Sequence, residues 1–136
     1  MAKFAAKTRV PAQQTRGEIE TLLTAKKATA IGVFSGTEQA AIVFEMQGRR
    51  IMFRLPLPPN ITDQSRRQRW RALLLAIKAK LAAVDDGIET FEQAFLAHIV
   101  MPDGLTVGEH THERIASAYQ GGTMQPLLPP PKKDQK

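Results

Sequence analysis

The chain has 136 residues, 43% of them hydrophobic and none of them cysteine, and it carries a formal net charge of +6. This length fits one domain whose core can stand unaided, and the lack of cysteine excludes both a disulfide framework and a cysteine-ligated zinc site. No apolar run reaches the ~20 residues of a membrane span, and the basic start MAKFAAKTRV is not followed by a signal-peptide core, so a soluble protein is expected, and the lack of cysteine makes a reducing cytoplasm its expected place.

The charge is unevenly spread. Residues 1–84 hold fifteen Lys and Arg against five acids, whereas 85–113 hold Asp85, Asp86, Glu89, Glu92, Asp103, Glu109 and Glu113 with no Lys or Arg. Such asymmetry suits an anionic partner on one side of the molecule.

Residues 1–14 read as a flexible basic arm. Thr15-Arg16-Gly17-Glu18 has the capping-box pattern, and Ile19, Leu22 and Leu23 recur at helical spacing, which predicts a first helix from Arg16 to Lys26. Three strands are predicted next, at Thr29–Phe34, Gln39–Met46 and Arg49–Leu55, separated by Ser35-Gly36-Thr37-Glu38 and by Gln47-Gly48. The two-residue loop opposes Met46 to Arg49, Glu45 to Arg50, Phe44 to Ile51 and Ile42 to Phe53. One sheet face is then Ala40, Ile42, Phe44, Ile51, Phe53 and Leu55, while the other carries Val43, Glu45, Arg50, Met52 and Arg54.

Pro56-Leu57-Pro58-Pro59-Asn60 reads as a stiff connector, because proline lacks the amide a central strand needs. A long helix is predicted from Thr62 or Asp63, with Trp70, Leu73, Leu74, Ile77, Leu81 and Val84 on one stripe. Its other side, Ala72, Leu75, Ala76, Ala79 and Ala83, invites close packing by the next helix. Gly87 suits a left-handed helix stop, and Thr90-Phe91-Glu92-Gln93 a second capping box, for a third helix reaching His98. Met101-Pro102-Asp103-Gly104 is a turn, Leu105–Val107 a brief extended piece and His112–Tyr119 a last helical turn or two. The expected fold is α+β: a three-stranded antiparallel sheet against a long helix, with additional helices, in a single domain over 15–120. Residues 121–136, rich in Pro and Lys, read as a disordered tail.

Six basic side chains crowd the apolar helix in SRRQRWRALLLAIKAK, and they are the best candidates for function. Arg66, Arg67, Arg69, Arg71, Lys78 and Lys80, joined by Arg49 and Arg54 of the third strand, can act as phosphate ligands for DNA or RNA. Arg66 to Arg71 open the helix, where the dipole disfavours cations, so propensity alone does not explain them. Trp70 is either a core residue or a base-stacking platform, and Arg50 is expected to pair with Glu45. Glu109, His110, His112 and Glu113 are the one cluster with metal-ligand chemistry, but no third ligand is indicated, so no metal and no cofactor are expected. Ser35, Ser65 and Ser117 lack a nucleophile elbow or base partner and no glycine-rich phosphate loop exists, which argues against an enzyme.

The run RRQRWRALLLAIKAKLAAVDDGIETFEQAFLAHIVMPDGLTVGE, preceded by GRRIMFRLPLP, resembles a family of small uncharacterised proteins encoded by phages and prophages, over residues from about Thr15 to Glu109. The resemblance implies a phage accessory protein associated with recombination or replication, and transfers no catalytic residue. The order of one helix, three strands and a helix with a basic start is also similar to a double-stranded RNA-binding domain, from which the loop Ser35–Glu38 and the third helix depart. The expectation is a non-enzymatic protein binding nucleic acid without sequence preference; its rival is an inhibitor of a host defence or replication enzyme that binds one protein target.

Overall fold

The computed structural model describes residues 10–122 and 124–130. Its centre is the hairpin of β2 (Gln39–Met46) and β3 (Arg49–Pro56), whose register runs from Met46 opposite Arg49 to Gln39 opposite Pro56. Gln47 and Gly48 both take positive φ, 50° and 74°, the mirror-image turn whose twist matches that of the flanking strands. β1 (Ala30–Ser35) pairs antiparallel with β2, giving the order β1-β2-β3. Ala40, Ile42, Phe44, Ile51 and Phe53 are buried on one face, as period-two alternation dictates.

α2 (Asp63–Asp85) covers that face. Thr62 caps it by accepting a hydrogen bond from the Ser65 amide at 3.0 Å, and Trp70, Leu73, Leu74, Ile77 and Leu81 are buried. Gly87, at φ 73°, turns the chain out of the helix, with the Gly87 and Ile88 amides donating to Val84 and Ala83 carbonyls.

α1 spans Ala12–Ala25, so it starts earlier than the capping-box reading placed it and takes in part of the basic arm expected over 1–14; residues 1–9 of that arm lie outside the described residues. Pro11 opens the helix, since a first-turn amide needs no partner within it. Thr15 is no cap: it is fully buried with Ile19 and Leu23 one turn apart, and its hydroxyl has no hydrogen-bond partner.

The alanine side of α2 is not a packing site, for Ala72, Ala76 and Ala79 are exposed. α3 (Phe91–Ala94), opened by the Thr90/Gln93 capping box, and a 3-10 turn (Leu96–His98) replace the single expected helix. They carry Phe95 into the core instead, edge-on to Phe44 at 5.9 Å and Phe53 at 6.3 Å. Burying Phe91, Phe95 and Ile99 against the sheet removes far more apolar area from water than covering alanines would.

Ile99 bridges Ile51, and the Val100 amide donates to the Arg50 carbonyl at 2.8 Å, so this segment lies along the outer edge of β3. After the Met101–Gly104 turn Thr106 bridges back to Val100 and caps α4 (Val107–Gly121) in a second capping box, with Glu109. α4 is thus longer than the turn or two expected over 112–119. Gly122, at φ 65°, ends it. Of the tail expected over 121–136, residues 123 and 131–136 lie outside the described residues; Pro126 accepts a hydrogen bond from Arg114 at 2.6 Å. No helix among the described residues is long and apolar enough to cross a membrane.

Candidate nucleic-acid interface

The two basic ridges of α2 are its two seams. Along the first, Arg71 pairs with Glu18 of α1, Arg67 donates to Gln64 at 2.8 Å, and Lys78 is exposed. Along the second, Arg69 donates to the Pro56 carbonyl at the end of β3 at 2.5 Å. Lys80 donates to the Ala94 carbonyl at 3.0 Å and lies 6.0 Å from the Phe95 ring centre. Long cationic side chains run their stems along an apolar stripe and hold polar groups at its margin, which accounts for Arg69 and Arg71 where the helix dipole does not.

Arg49 and Arg54 are engaged as well. Glu92 accepts from Arg49 at 2.9 Å, Glu109 from Arg54 at 2.9 Å, and Asp85 from Lys26 at 2.5 Å. Carboxylates of the acidic segment thus reach back to cations of the first half, and the two-sided charge of the sequence is partly closed within the fold. Arg50 pairs with Glu45 at 3.0 Å, as the register predicts. Of the eight candidate phosphate ligands, only Arg66 and Lys78 have no side-chain hydrogen bond or ion pair among the described residues.

Trp70 is 3% exposed, and the Arg16 guanidinium lies 5.6 Å from its ring centre while donating to Ser35 Oγ at 2.6 Å. Its ring belongs to the core and offers no face to a base. Nor do the eight candidates form one surface: Arg54 projects from the sheet face opposite α2, whereas the α2 ridges lie in the layer behind it.

Glu109 holds its charge firmly. The Thr106 amide, and beyond it Arg54, keep its carboxyl below the ordinary range, and the hydrogen bond from His110 does the same for Asp103. Burial, aided by the Lys80 ammonium, lowers His98 from its ordinary 6.5; its ring stacks on Phe53 with centres 3.9 Å apart. His110 and His112 sit on a helix, where residues two apart diverge instead of sharing the face an extended chain would give them. His110 Nε2 lies 2.8 Å from Asp103 Oδ2, and no group of three potential metal ligands occurs among the described residues.

What the residue-by-residue reading overlooked is the sheet face away from α2. Among the described residues it is uncovered: Gly32, Val43 and Met52 are half-buried at its middle, Phe34 is 63% exposed, and the Val100–Gly104 segment walls a groove of about 480 Å³. Alternation already assigned Val43 and Met52 to this face; that no later element returns over it was not legible. Compared with known proteins, the chain matches no family model, no curated protein and no solved structure.

Proposed function

We propose that the chain is a non-enzymatic accessory protein of a phage or prophage that binds a protein target through the uncovered face of its sheet, in the manner of an inhibitor of a host defence or replication enzyme. One observation carries this reading: the groove over Val43 and Met52 is apolar at its floor and edged by the Arg50–Glu45 pair, while most of the cations suited to a polyanion are already engaged. An apolar floor with a charged rim is the anatomy of a protein-binding site.

Val43→Glu and Met52→Lys place charge on that floor without touching the core face. Capture from host lysate after nuclease treatment is expected to yield a stoichiometric partner with the native chain and to lose it with either variant. Equal capture by the variants, or recovery of nothing that survives nuclease, refutes the reading.

Non-specific binding of DNA or RNA is the second reading, supported by Arg66 and Lys78. Arg49 and Arg54 add to it, since exposed ion pairs are worth only about 0–1 kcal/mol and a phosphate can displace the carboxylate. Titration of labelled single- and double-stranded DNA and RNA against salt tests it: affinity must fall steeply as salt rises and must weaken in Arg66→Ala/Lys78→Ala.

A further inference from the structure

The two edges of the sheet are treated differently. The outer edge of β3 is occupied by the chain itself, through Ile99 and the Val100 amide. The outer edge of β1 has no strand beside it among the described residues. Which groups it presents follows from the register. Gly36 donates to the Gln39 carbonyl at 2.9 Å, so by antiparallel alternation the backbone groups of Phe34, Gly32 and Ala30 turn toward β2, and those of Ile31, Val33 and Ser35 turn outward. The strand, AIGVFS, has no charge and no proline, the usual devices that keep an edge from pairing.

We infer that β1 pairs antiparallel with β1 of a second copy, about a two-fold axis at Val33, to form a continuous six-stranded sheet. This register is the one in which the outward-facing residues meet. Val33 exchanges both hydrogen bonds with Val33 of the second copy, and Ile31 does so with Ser35. Phe34 and Gly32 then oppose each other across the axis. The Phe34 ring already lies over Gly32 of its own strand, where an added Cβ would stand 3.4 Å from it. An aromatic ring facing a glycine across strands fills the space the glycine leaves. The pairing is self-complementary, and it closes at two copies because the other edge of each sheet is covered, so a dimer and not a fibre results. The inference does not rest on a protein target for the sheet face.

The test combines sedimentation over a dilution series with amide hydrogen exchange of the full chain. The expected result is a concentration-dependent species of twice the chain mass, in which the Ile31, Val33 and Ser35 amides gain protection. The Gly32 and Phe34 amides, paired with β2, are protected at every concentration. Val33→Pro deletes an outward amide only and should leave a folded monomer by circular dichroism; if it unfolds, Phe34→Lys replaces it, removing the aromatic cover and weakening the dimer at least tenfold. A monomer at all concentrations overturns the inference. So does a dimer whose three outward amides exchange freely, or one that survives in a folded Val33→Pro or Phe34→Lys chain.

Discussion

Arg54 Nε donates to Glu109 Oε2 at 2.9 Å while the other oxygen of Glu109 accepts from the Thr106 amide at 2.9 Å, so a single carboxylate caps α4 and ties it to β3. Thr106, buried, completes the box by accepting from the Glu109 amide. Thr106→Ala is expected to destabilise the protein by about 1 kcal/mol in urea unfolding.

The same carboxylate sets an acid response. Its proton affinity is depressed in the folded state, first by the Thr106 amide and further by Arg54, so the unfolded chain binds the proton more readily. The stabilisation is therefore complete above the ordinary glutamate value of about 4.3 and is lost as pH falls through the depressed folded value. Asp103, held by His110, contributes with the same sign. Thermal melts from neutral to acid pH should fall less steeply in Glu109→Gln than in the native protein, with the remaining slope reduced further by Asp103→Asn.

Phe95 joins the α3 segment to the sheet, meeting Phe44, Phe53 and Phe91. It is fully buried. Phe95→Ala should cost about 3–5 kcal/mol and move the urea midpoint with little change in slope. A cost under about 1 kcal/mol would mean that this ring is not part of the core.

Two threonines that look alike in sequence should respond with opposite signs. Thr62 accepts the Ser65 amide, so Thr62→Ala removes a cap and costs about 1 kcal/mol. The buried Thr15 hydroxyl has no partner, so Thr15→Val relieves an unmet polar group and should stabilise by about 1 kcal/mol. Chemical denaturation of both variants decides whether Thr15 packs or caps.

His98 is the neutral base of the core margin. Burial, then the Lys80 charge, lowers its proton affinity in the folded state, so protonation favours unfolding. Its contribution to stability is complete above about pH 6.5 and declines as pH drops below that, until the folded value is passed. The His98 ring proton should titrate by NMR with a midpoint below 6.5, and His98→Leu should flatten the stability profile over this range.

Local patterns carried much of the fold. The β2–β3 register followed from Gln47-Gly48 and alternating apolar residues, the α2 stripe from its period, and the ends of α2 from Thr62 and Gly87, because each is decided by atoms close in sequence. The capping pattern at Thr15 misled because the same residue types suit a buried helix face once Pro11 has opened the helix earlier. The box at Thr106-Val107-Gly108-Glu109 was equally legible and would have located the start of α4.

The sequence by itself determined which residues are apolar, which strands pair and how many cations crowd one helix, since backbone geometry and side-chain periodicity act over a few residues. Where those cations point was decided only by the tertiary structure. Glu18, Glu92 and Glu109 lie 53, 43 and 55 positions from Arg71, Arg49 and Arg54, and nothing local brings them together. Packing the apolar stripe and α3 on the sheet, and α4 on the turn that follows α3, does so: burying the apolar surface sets the positions of the elements, and the charges at their margins then meet across the seams.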